Sequence, residues 1–123
     1  MLYIVATPIG NLKDITERAL EVLREAEYIV CEDTRRTSFL LRHFGIKKPL
    51  ISYYEGNKTK RLPYIVKLLK AERKVCLVSD AGFPCISDPG FLIVRECIRQ
   101  NLKFTVLPGA EAIIPALVLS GFP

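Results

Sequence analysis

The feature that most constrains the fold is a repeated alternation of short apolar runs with longer amphipathic segments. The runs hold four or five residues, as short buried strands do, and a helical pattern follows each of them. This order predicts an α/β fold in which a five-stranded, mainly parallel sheet carries helices on both faces. The predicted strands are Leu2–Ala6, Tyr28–Cys31, Pro49–Tyr53, Val75–Val78 and Phe104–Leu107.

Local signals predict where the helices begin and end. Asp14 followed by Glu17 resembles a capping box, so we expect Asp14 to cap the first helix. Gly45 is a typical residue for the end of the second helix. We expect Pro63 in the first turn of the third helix, and Asp88–Pro89 at the start of the fourth.

The loop Ser79–Asp88 is the strongest candidate for a binding site. With the following Pro89–Gly90 it contains two Gly, two Pro, two Asp and two Ser. Ligands of open parallel sheets bind outside the carboxyl ends of the strands. We therefore expect this loop to meet the loops Thr7–Lys13, Glu32–Thr37 and Pro108–Glu111 along one edge. An ordinary strand-to-helix connection with good capping is the alternative.

The positive charge is concentrated in the middle of the chain. Residues 35–74 contain twelve Lys and Arg against two Glu, a net charge of +10, while the remainder carries −5. A field of this polarity favours a polyanionic partner, most simply a nucleic acid. The alternative is a set of solvated helix faces.

Cysteine and histidine usage argues against a metal site. The chain has four cysteines, none in a C-x-x-C pair, and one histidine. We expect Cys31, Cys76 and Cys97 to be reduced core thiols, and Cys85 to lie in the loop. No apolar run reaches the roughly 18 residues that span a bilayer, and no signal peptide is recognisable. We therefore expect a cytoplasmic protein without a membrane partner.

The sequence also lacks the glycine-rich patterns that cradle phosphates. Neither G-x-G-x-x-G nor G-x-x-x-x-G-K-[ST] occurs, which disfavours a phosphate-bound nucleotide. S-adenosylmethionine has no phosphates and needs no such cradle. A carboxylate such as Asp80 could meet its ammonium group, ribose hydroxyls or sulfonium charge, although many small ligands would suit such a loop.

Several blocks resemble the ribosomal RNA small-subunit methyltransferase I family, which belongs to the tetrapyrrole methylase superfamily. The blocks are Val5–Thr16, Glu32–Thr37, Leu77–Pro84, Ile86–Gly90, Pro108–Gly109 and Ser120–Pro123. The resemblance implies a two-domain, S-adenosylmethionine-dependent enzyme that methylates the ribose 2′-oxygen of a cytidine in small-subunit (16S) ribosomal RNA. Residues 1–123 resemble its amino-terminal α/β domain alone, so we expect the second domain to be absent and this fragment alone to be inactive. The family also implies a homodimer.

The same resemblance implies roles for individual residues. Arg35 and Arg36 would bind RNA phosphates, with helix capping or solvation as the alternative. The chemistry of the transfer, and not the resemblance, calls for a general base: Asp33 and Asp80 are the candidates, and a base in the absent second domain is the alternative. For Asp80, a loop-bracing hydrogen bond is a further alternative. The predicted cofactor contacts are Pro8, Gly10, Ser79, Asp80, Phe83, Ile86, Ser87, Pro108 and Gly109.

One block departs from the family pattern, and two other functions stay open. The family's usual Pro-Gly-Pro-Ser-Ala reads Pro108-Gly109-Ala110-Glu111-Ala112 here, so Glu111 replaces a serine hydroxyl. A methyltransferase acting on a tetrapyrrole is the first alternative function, although a small substrate needs no +10 segment. A non-catalytic RNA-binding module is the second, although it has no need of the Ser79–Asp88 loop.

Overall fold

The computed structural model describes all of residues 1–123 and alternates strands with helices from end to end. The five strands are β1 (Leu2–Ile4), β2 (Tyr28–Cys31), β3 (Leu50–Ser52), β4 (Val75–Leu77) and β5 (Phe104–Val106). The five α-helices are α1 (Glu17–Glu25), α2 (Thr34–His43), α3 (Lys58–Lys70), α4 (Phe91–Arg99) and α5 (Ile113–Ser120). None of these helices combines the length and apolar character needed to cross a bilayer.

The sheet confirms the predicted fold class. All five strands are parallel, in the order β3-β2-β4-β1-β5. Leu2 of the central strand β1 pairs with Val75 of β4 on one side and Phe104 of β5 on the other. Consequently β4 lies between β1 and β2, and the loop after β4 leaves the sheet between the loops that follow those strands.

The core has two layers because the strands are buried on both faces. Leu2 and Ile4 pack in one apolar cluster with Ile65 of α3 and Ile93 of α4. The next residue, Val5, belongs to the second cluster, with Leu23 of α1 and Leu41 of α2. Helices α1 and α2 therefore cover one face of the sheet, and α3 and α4 cover the other. Helix α5 is different, since it has no buried residue.

The predicted starts of α1 and α3 are both wrong. The cap of α1 is Thr16, whose hydroxyl oxygen accepts a hydrogen bond from the Ala19 amide at 3.0 Å, whereas Asp14 lies in a separate 3-10 turn. Helix α3 begins at Lys58, so Pro63 is its sixth residue and lies beyond the first turn. The Asn57 side chain accepts a hydrogen bond from the Tyr54 amide at 2.8 Å and makes no capping bond to the helix, so it closes the turn that directly precedes α3.

Asp88 holds the end of the candidate binding loop closed and does not cap α4. Its carboxylate accepts hydrogen bonds from the amides of Cys85 and Gly90, each at 2.8 Å, and α4 begins only at Phe91. Cys85 has a φ of +75°, a left-handed conformation that is unfavourable for a residue with a Cβ. The bond from its amide to Asp88 stabilises that conformation.

Candidate functional site

The loops after β1 and β4 are joined directly at the carboxyl edge of the sheet. The Thr7 amide donates to the Gly82 carbonyl at 3.0 Å, and the Gly82 amide donates back to Thr7 at 2.9 Å. The buried Thr7 hydroxyl also donates to the Ser79 carbonyl at 3.1 Å. Residues about seventy positions apart in sequence are thereby fixed in one rim, as expected from the parallel sheet.

Ser79 and Gly82 shape the tip of the β4 loop. The Ser79 hydroxyl lies 2.9 Å from the Gly82 carbonyl, to which it donates, so its hydrogen is used within the loop. Gly82 has a φ of +73°, and a Cβ there would lie 3.2 Å from the Ile9 side chain. The sequence predicts Ser79 as a cofactor contact. The structure shows its hydroxyl bonded within the loop and only 8% of its surface exposed, and its role as a cofactor contact stays a prediction.

A cleft of about 460 Å³ lies beside this rim, between the β4 loop and the start of α5. We call it the main cleft. Four predicted cofactor residues besides Ser79 line it, namely Asp80, Phe83, Ile86 and Ser87. The remaining lining residues were not named as cofactor contacts, although all but the last two lie in the loops expected at this edge: Ile9, Glu32, Ala81, Gly82, Asp88, Glu111, Ala112 and Ile113.

A second cleft of about 260 Å³ opens on the other side of Asp80. We call it the side cleft. It contains the predicted residues Pro8 and Gly10, together with Arg36 and Phe39 of α2. Ser79 and Asp80 line both clefts, so these two residues form the wall between them.

The main cleft is acidic and its flank is basic. Burial raises the pKa of Glu32 above its usual range, and the neighbouring Asp88 and Asp80 carboxylates raise it further. On the side-cleft wall, the Arg36 guanidinium lies 4.0 Å from the Asp80 carboxylate. That ion pair is open to solvent and contributes little stability. The main cleft therefore suits a ligand with positive charge, and the Arg36 side of the side cleft suits a negatively charged one.

The predicted catalytic residue Asp33 has a structural role in the fold. Its carboxylate oxygen Oδ1 accepts hydrogen bonds from the Arg35 amide at 2.9 Å and the Arg36 amide at 3.3 Å, which caps α2. Asp33 lines neither cleft. Its predicted role as a general base stays a prediction.

The predicted contacts Pro108 and Gly109 also lie outside both clefts. A Cβ on Gly109 would come within 2.8 Å of the Ala6 side chain, so the turn after β5 depends on close approach to the end of β1. The same turn carries Glu111, whose carboxylate accepts hydrogen bonds from the Ile113 and Ile114 amides at 3.0 and 3.1 Å. Glu111 thus caps α5 where the family usually has a serine.

The basic segment is divided by the sheet. Arg35, Arg36 and Arg42 lie on α2, which covers one face, whereas the cations of α3 lie on the other. Of the predicted RNA ligands, Arg36 lines the side cleft, and Arg35 is exposed but lines neither. No residue of α3 lines either cleft. Only the α2 half of the positive charge therefore adjoins the candidate site.

The cysteines take no visible part in the site. Cys31, Cys76 and Cys97 are buried, as expected, and Cys85 is half-buried in the loop. Burial raises the pKa of both Cys76 and Cys85 to about 12, so these thiols are protonated at neutral pH. No group of three or more His, Cys, Asp or Glu side chains is placed to hold a metal ion.

The family model described as Tetrapyrrole (Corrin/Porphyrin) Methylases matches residues 1–123. This chain belongs to the tetrapyrrole methylase family. Its similarity to ribosomal RNA small subunit methyltransferase I is confirmed by curated relatives of that name. The relative from Thermotoga maritima is 54% identical and the relative from Mycoplasmopsis pulmonis 52%, each over 99% of this chain and 55% of the relative. The chain thus spans about half the length of these relatives.

Solved structures independently show the fold of this tetrapyrrole methylase chain. A crystal structure of uroporphyrin-III-C-methyltransferase from Thermus thermophilus superposes with a TM-score of 0.69 at 22% identity. The superposition covers 99% of this chain and 53% of that one. A native form of the Thermus thermophilus enzyme gives a TM-score of 0.66.

In this methylase chain, the most informative residue that sequence reasoning missed is Glu32. It directly follows Cys31, the last residue of β2, and lines the main cleft because β2 is the direct neighbour of β4. The sequence carried one signal for it, a carboxylate immediately after a buried strand. Strand order was needed to tell Glu32, which faces the cleft, from Asp33, which caps a helix.

Proposed function

We propose that this chain provides the amino-terminal domain of an S-adenosylmethionine-dependent methyltransferase. Its proposed target is the ribose 2′-oxygen of a cytidine in small-subunit (16S) ribosomal RNA. The observation that carries the proposal is the position of Asp80, which forms the wall between an acidic cleft and a cleft flanked by the basic helix α2. The names of the relatives at 54% and 52% identity support the ribosomal substrate.

The residues of the main cleft fit the proposed methyl donor. Its volume of about 460 Å³ is ordinary for a small-molecule site. Apolar side chains of Ile9, Phe83 and Ile86 line it and can pack against an adenine. Glu32, Asp80 and Asp88 supply negative charge. Burial raises the pKa of Glu32, the Asp88 and Asp80 carboxylates raise it further, and a bound cation would relieve the repulsion among the three. S-adenosylmethionine carries a sulfonium and an ammonium group, and when bound it supplies an electrophilic methyl group.

The protein's contribution to transfer would be placement and proton removal. Asp80 would hold the donor's positive end in the main cleft while α2 holds the RNA on the other side of the same wall. Such orientation supplies much of the barrier reduction in a reaction of two bound substrates. The ribose hydroxyl must also lose its proton, and a general base adds roughly 10²–10⁴-fold. Glu32 joins Asp80 and Asp33 as a candidate, because a raised pKa brings a carboxylate closer to the operating pH.

We further propose the two-domain and dimeric arrangement that the family resemblance implies. Two observations support a second domain: the relatives are about twice as long as this chain, and α5 presents unpartnered apolar side chains beside the main cleft. Exposed members include Ile113, Ile114, Leu117, Val118 and Leu119. The rest of the full-length protein would cover this face, and residues 1–123 alone would be inactive. A ribosomal substrate would place the enzyme in the cytoplasm.

The decisive experiment compares Asp80→Asn with the wild type in the full-length protein. Calorimetry should show S-adenosylmethionine binding that Asp80→Asn weakens about 10- to 100-fold, the loss expected for a hydrogen bond to a charged group. Labelled methyl groups should enter small ribosomal subunits with the wild type and much less with the variant. Glu21→Gln is the matched control, since Glu21 is an exposed carboxylate on α1 that lines neither cleft.

Other outcomes point to the alternatives. Label that enters a porphyrinoid and no RNA would make the protein a tetrapyrrole methyltransferase. RNA binding without any binding of S-adenosylmethionine would make it a non-catalytic module. Either result would contradict the proposal.

A further inference from the structure

Helix α2 presents an aromatic side chain between two cations on its outer surface. Arg36, Phe39 and Arg42 follow at intervals of three residues, and 68% of the Phe39 surface is exposed. The opposite side of the helix is fixed to the sheet through the buried residues Thr37 and Leu41. Successive members of the outer row are displaced by about 60° and 4.5 Å, so Arg36 and Arg42 are separated by about 9 Å along the axis.

The row continues into a basic pocket at the end of the helix. Gly45, with φ +66°, ends α2, and the Ile46 amide donates to the Leu41 carbonyl at 2.8 Å. The chain turns back there, so Lys47 and Lys48 line a pocket of about 280 Å³. Arg42 and the half-buried Ser38 line it as well, and no carboxylate does. We call Arg36, Phe39, Arg42, Lys47 and Lys48 the α2 strip.

The cations at the far end of the α2 strip are available for a ligand. Arg42, Lys47 and Lys48 form no ion pair. The same is true of Lys60, Arg61, Lys67 and Lys70 on α3, so the α2 cations are distinguished by their position next to the side cleft and not by being unpaired. At the near end, Arg36 and Phe39 both line the side cleft, whose far wall is Asp80. The α2 strip therefore leads from the proposed site of transfer to an unneutralised basic pocket.

This composition matches a nucleic acid better than a protein partner. The centres of protein interfaces are depleted in charged residues, and lysine in particular is rare there. Single-stranded RNA is typically held by cations that bind phosphates and by aromatic side chains on which bases stack. Helix α3 also has cations and an exposed Tyr64, but none of its residues reaches either cleft.

We propose that the α2 strip is the surface that holds single-stranded RNA beside the methyl-donor cleft. A base stacks on Phe39, and the cations of the pocket, Arg42, Lys47 and Lys48, each neutralise one backbone phosphate of the strand. This inference rests on the proposed function and adds to it the residues that present the substrate.

The first test separates stacking from packing at Phe39. In the full-length protein, Phe39→Ala should raise KM for small ribosomal subunits about tenfold, the loss of one stacked base, while KM for S-adenosylmethionine stays unchanged. Phe39→Tyr should restore the wild-type KM because it keeps an aromatic face. Tyr64→Ala on α3 is the matched control and should change KM by less than about twofold.

The second test measures how many phosphates the strip neutralises. The triple variant Arg42→Gln, Lys47→Gln and Lys48→Gln should bind a single-stranded ribosomal RNA fragment with a smaller salt dependence. The slope of log affinity against log salt should fall by about two, because each phosphate that a cation neutralises on a single strand adds about 0.7 to it. The control removes equal charge from α3 through Lys60→Gln, Arg61→Gln and Lys67→Gln, and should leave the slope within about half a unit of the wild type.

The outcomes distinguish this inference from the proposed function. A wild type that binds no RNA and methylates none contradicts the proposed function. A wild type that methylates subunits, with α2 and α3 variants behaving alike, overturns the α2 strip alone. The strip would also be overturned if Phe39→Ala left KM for the subunits unchanged but separated a dimer in sedimentation, because Phe39 would then contact a second copy. Phe39 is mostly exposed, so its truncation should leave the thermal unfolding midpoint close to that of the wild type.

Discussion

Exchanging the residues at positions 6 and 109, by Ala6→Gly and Gly109→Ala, tests whether close packing of the turn after β5 on the end of β1 supports the site. A Cβ added to Gly109 would lie 2.8 Å from the Ala6 Cβ, about 1 Å closer than carbon atoms pack comfortably. The next atoms of Ala6, its Cα and carbonyl oxygen, lie 3.9 and 4.0 Å away. Gly109→Ala should therefore clash, and adding Ala6→Gly should remove the clash completely.

The expected free energies follow from these distances. Gly109→Ala should destabilise by about 1–2 kcal/mol, in the range for overpacking a filled site. Ala6→Gly should cost about 1–2 kcal/mol, because a buried methyl group is removed and a flexible residue is added. In the double variant the new Cβ fills the space of the old one. Its cost should therefore not exceed that of Ala6→Gly alone, which gives a coupling energy of about 1–2 kcal/mol.

Denaturant unfolding of the full-length protein measures this coupling, with S-adenosylmethionine affinity as the second observable. Gly109→Ala should weaken binding by displacing the turn that carries Glu111 and Ala112 to the main cleft. The double variant should regain affinity, since the turn can return. Additive free energies would refute the steric argument. Restored stability without restored affinity would instead indicate that Gly109 contacts the cofactor itself, as the family resemblance implies.

Substitutions at three further residues test individual groups of the site and its support. Asp33→Asn should keep the α2 cap and a rate of methyl transfer close to the wild type. Asp33→Ala should lose the cap and lower the free energy of unfolding by about 1 kcal/mol. A large loss of rate in Asp33→Asn at unchanged stability would make Asp33 a catalytic residue. Glu32→Gln should lower methyl transfer at least about tenfold and remove the acidic limb of the pH–rate profile, and an unchanged profile would exclude Glu32 as the base. Burial raises the pKa of Tyr53 to about 12 from 10, and its hydroxyl donates to the Pro89 carbonyl at 3.3 Å. Because the unfolded state ionises first, this contribution to stability is present below pH 10 and is lost as the pH rises through 12; equilibrium unfolding of Tyr53→Phe should show a weaker loss over that range.

Element type and order were predictable because they depend on local pattern. Buried β-branched runs such as Tyr28–Cys31 and amphipathic helices such as α1 can be recognised from the pattern of a few consecutive residues. The helix starts at Glu17, Lys58 and Phe91 were less predictable, because several neighbouring residues are compatible with a helix start. Asp14 and Asp88 have the right chemistry for a cap, but a 3-10 turn and a loop closure use them instead.

The location of the site, at one edge of the sheet, was predictable from the sequence, but the set of side chains that line it was not. Parallel strands required the loops carrying Pro8 and Asp80 to share one end of the sheet, and they do. Which side chains enter the clefts depends on strand order, and nothing local to β2 or β4 specifies that they pair. The same nonlocal pairing separates Glu32 from Asp33, and it divides the basic segment between two faces.

Strand order also explains why the proposed donor and RNA surfaces adjoin. Helix α2 starts directly after β2, and β2 is paired with β4, so the first turn of α2 must lie beside the loop that β4 delivers. The Asp33 cap, the buried Thr37 and Leu41, and the turn at Gly45 then fix the helix along its whole length. A rigid helix with one end at Asp80 can position an RNA strand against the cleft without a mobile element. A chain with the same residues on α3 would place its charge on the opposite face of the sheet, on a helix that lines neither cleft.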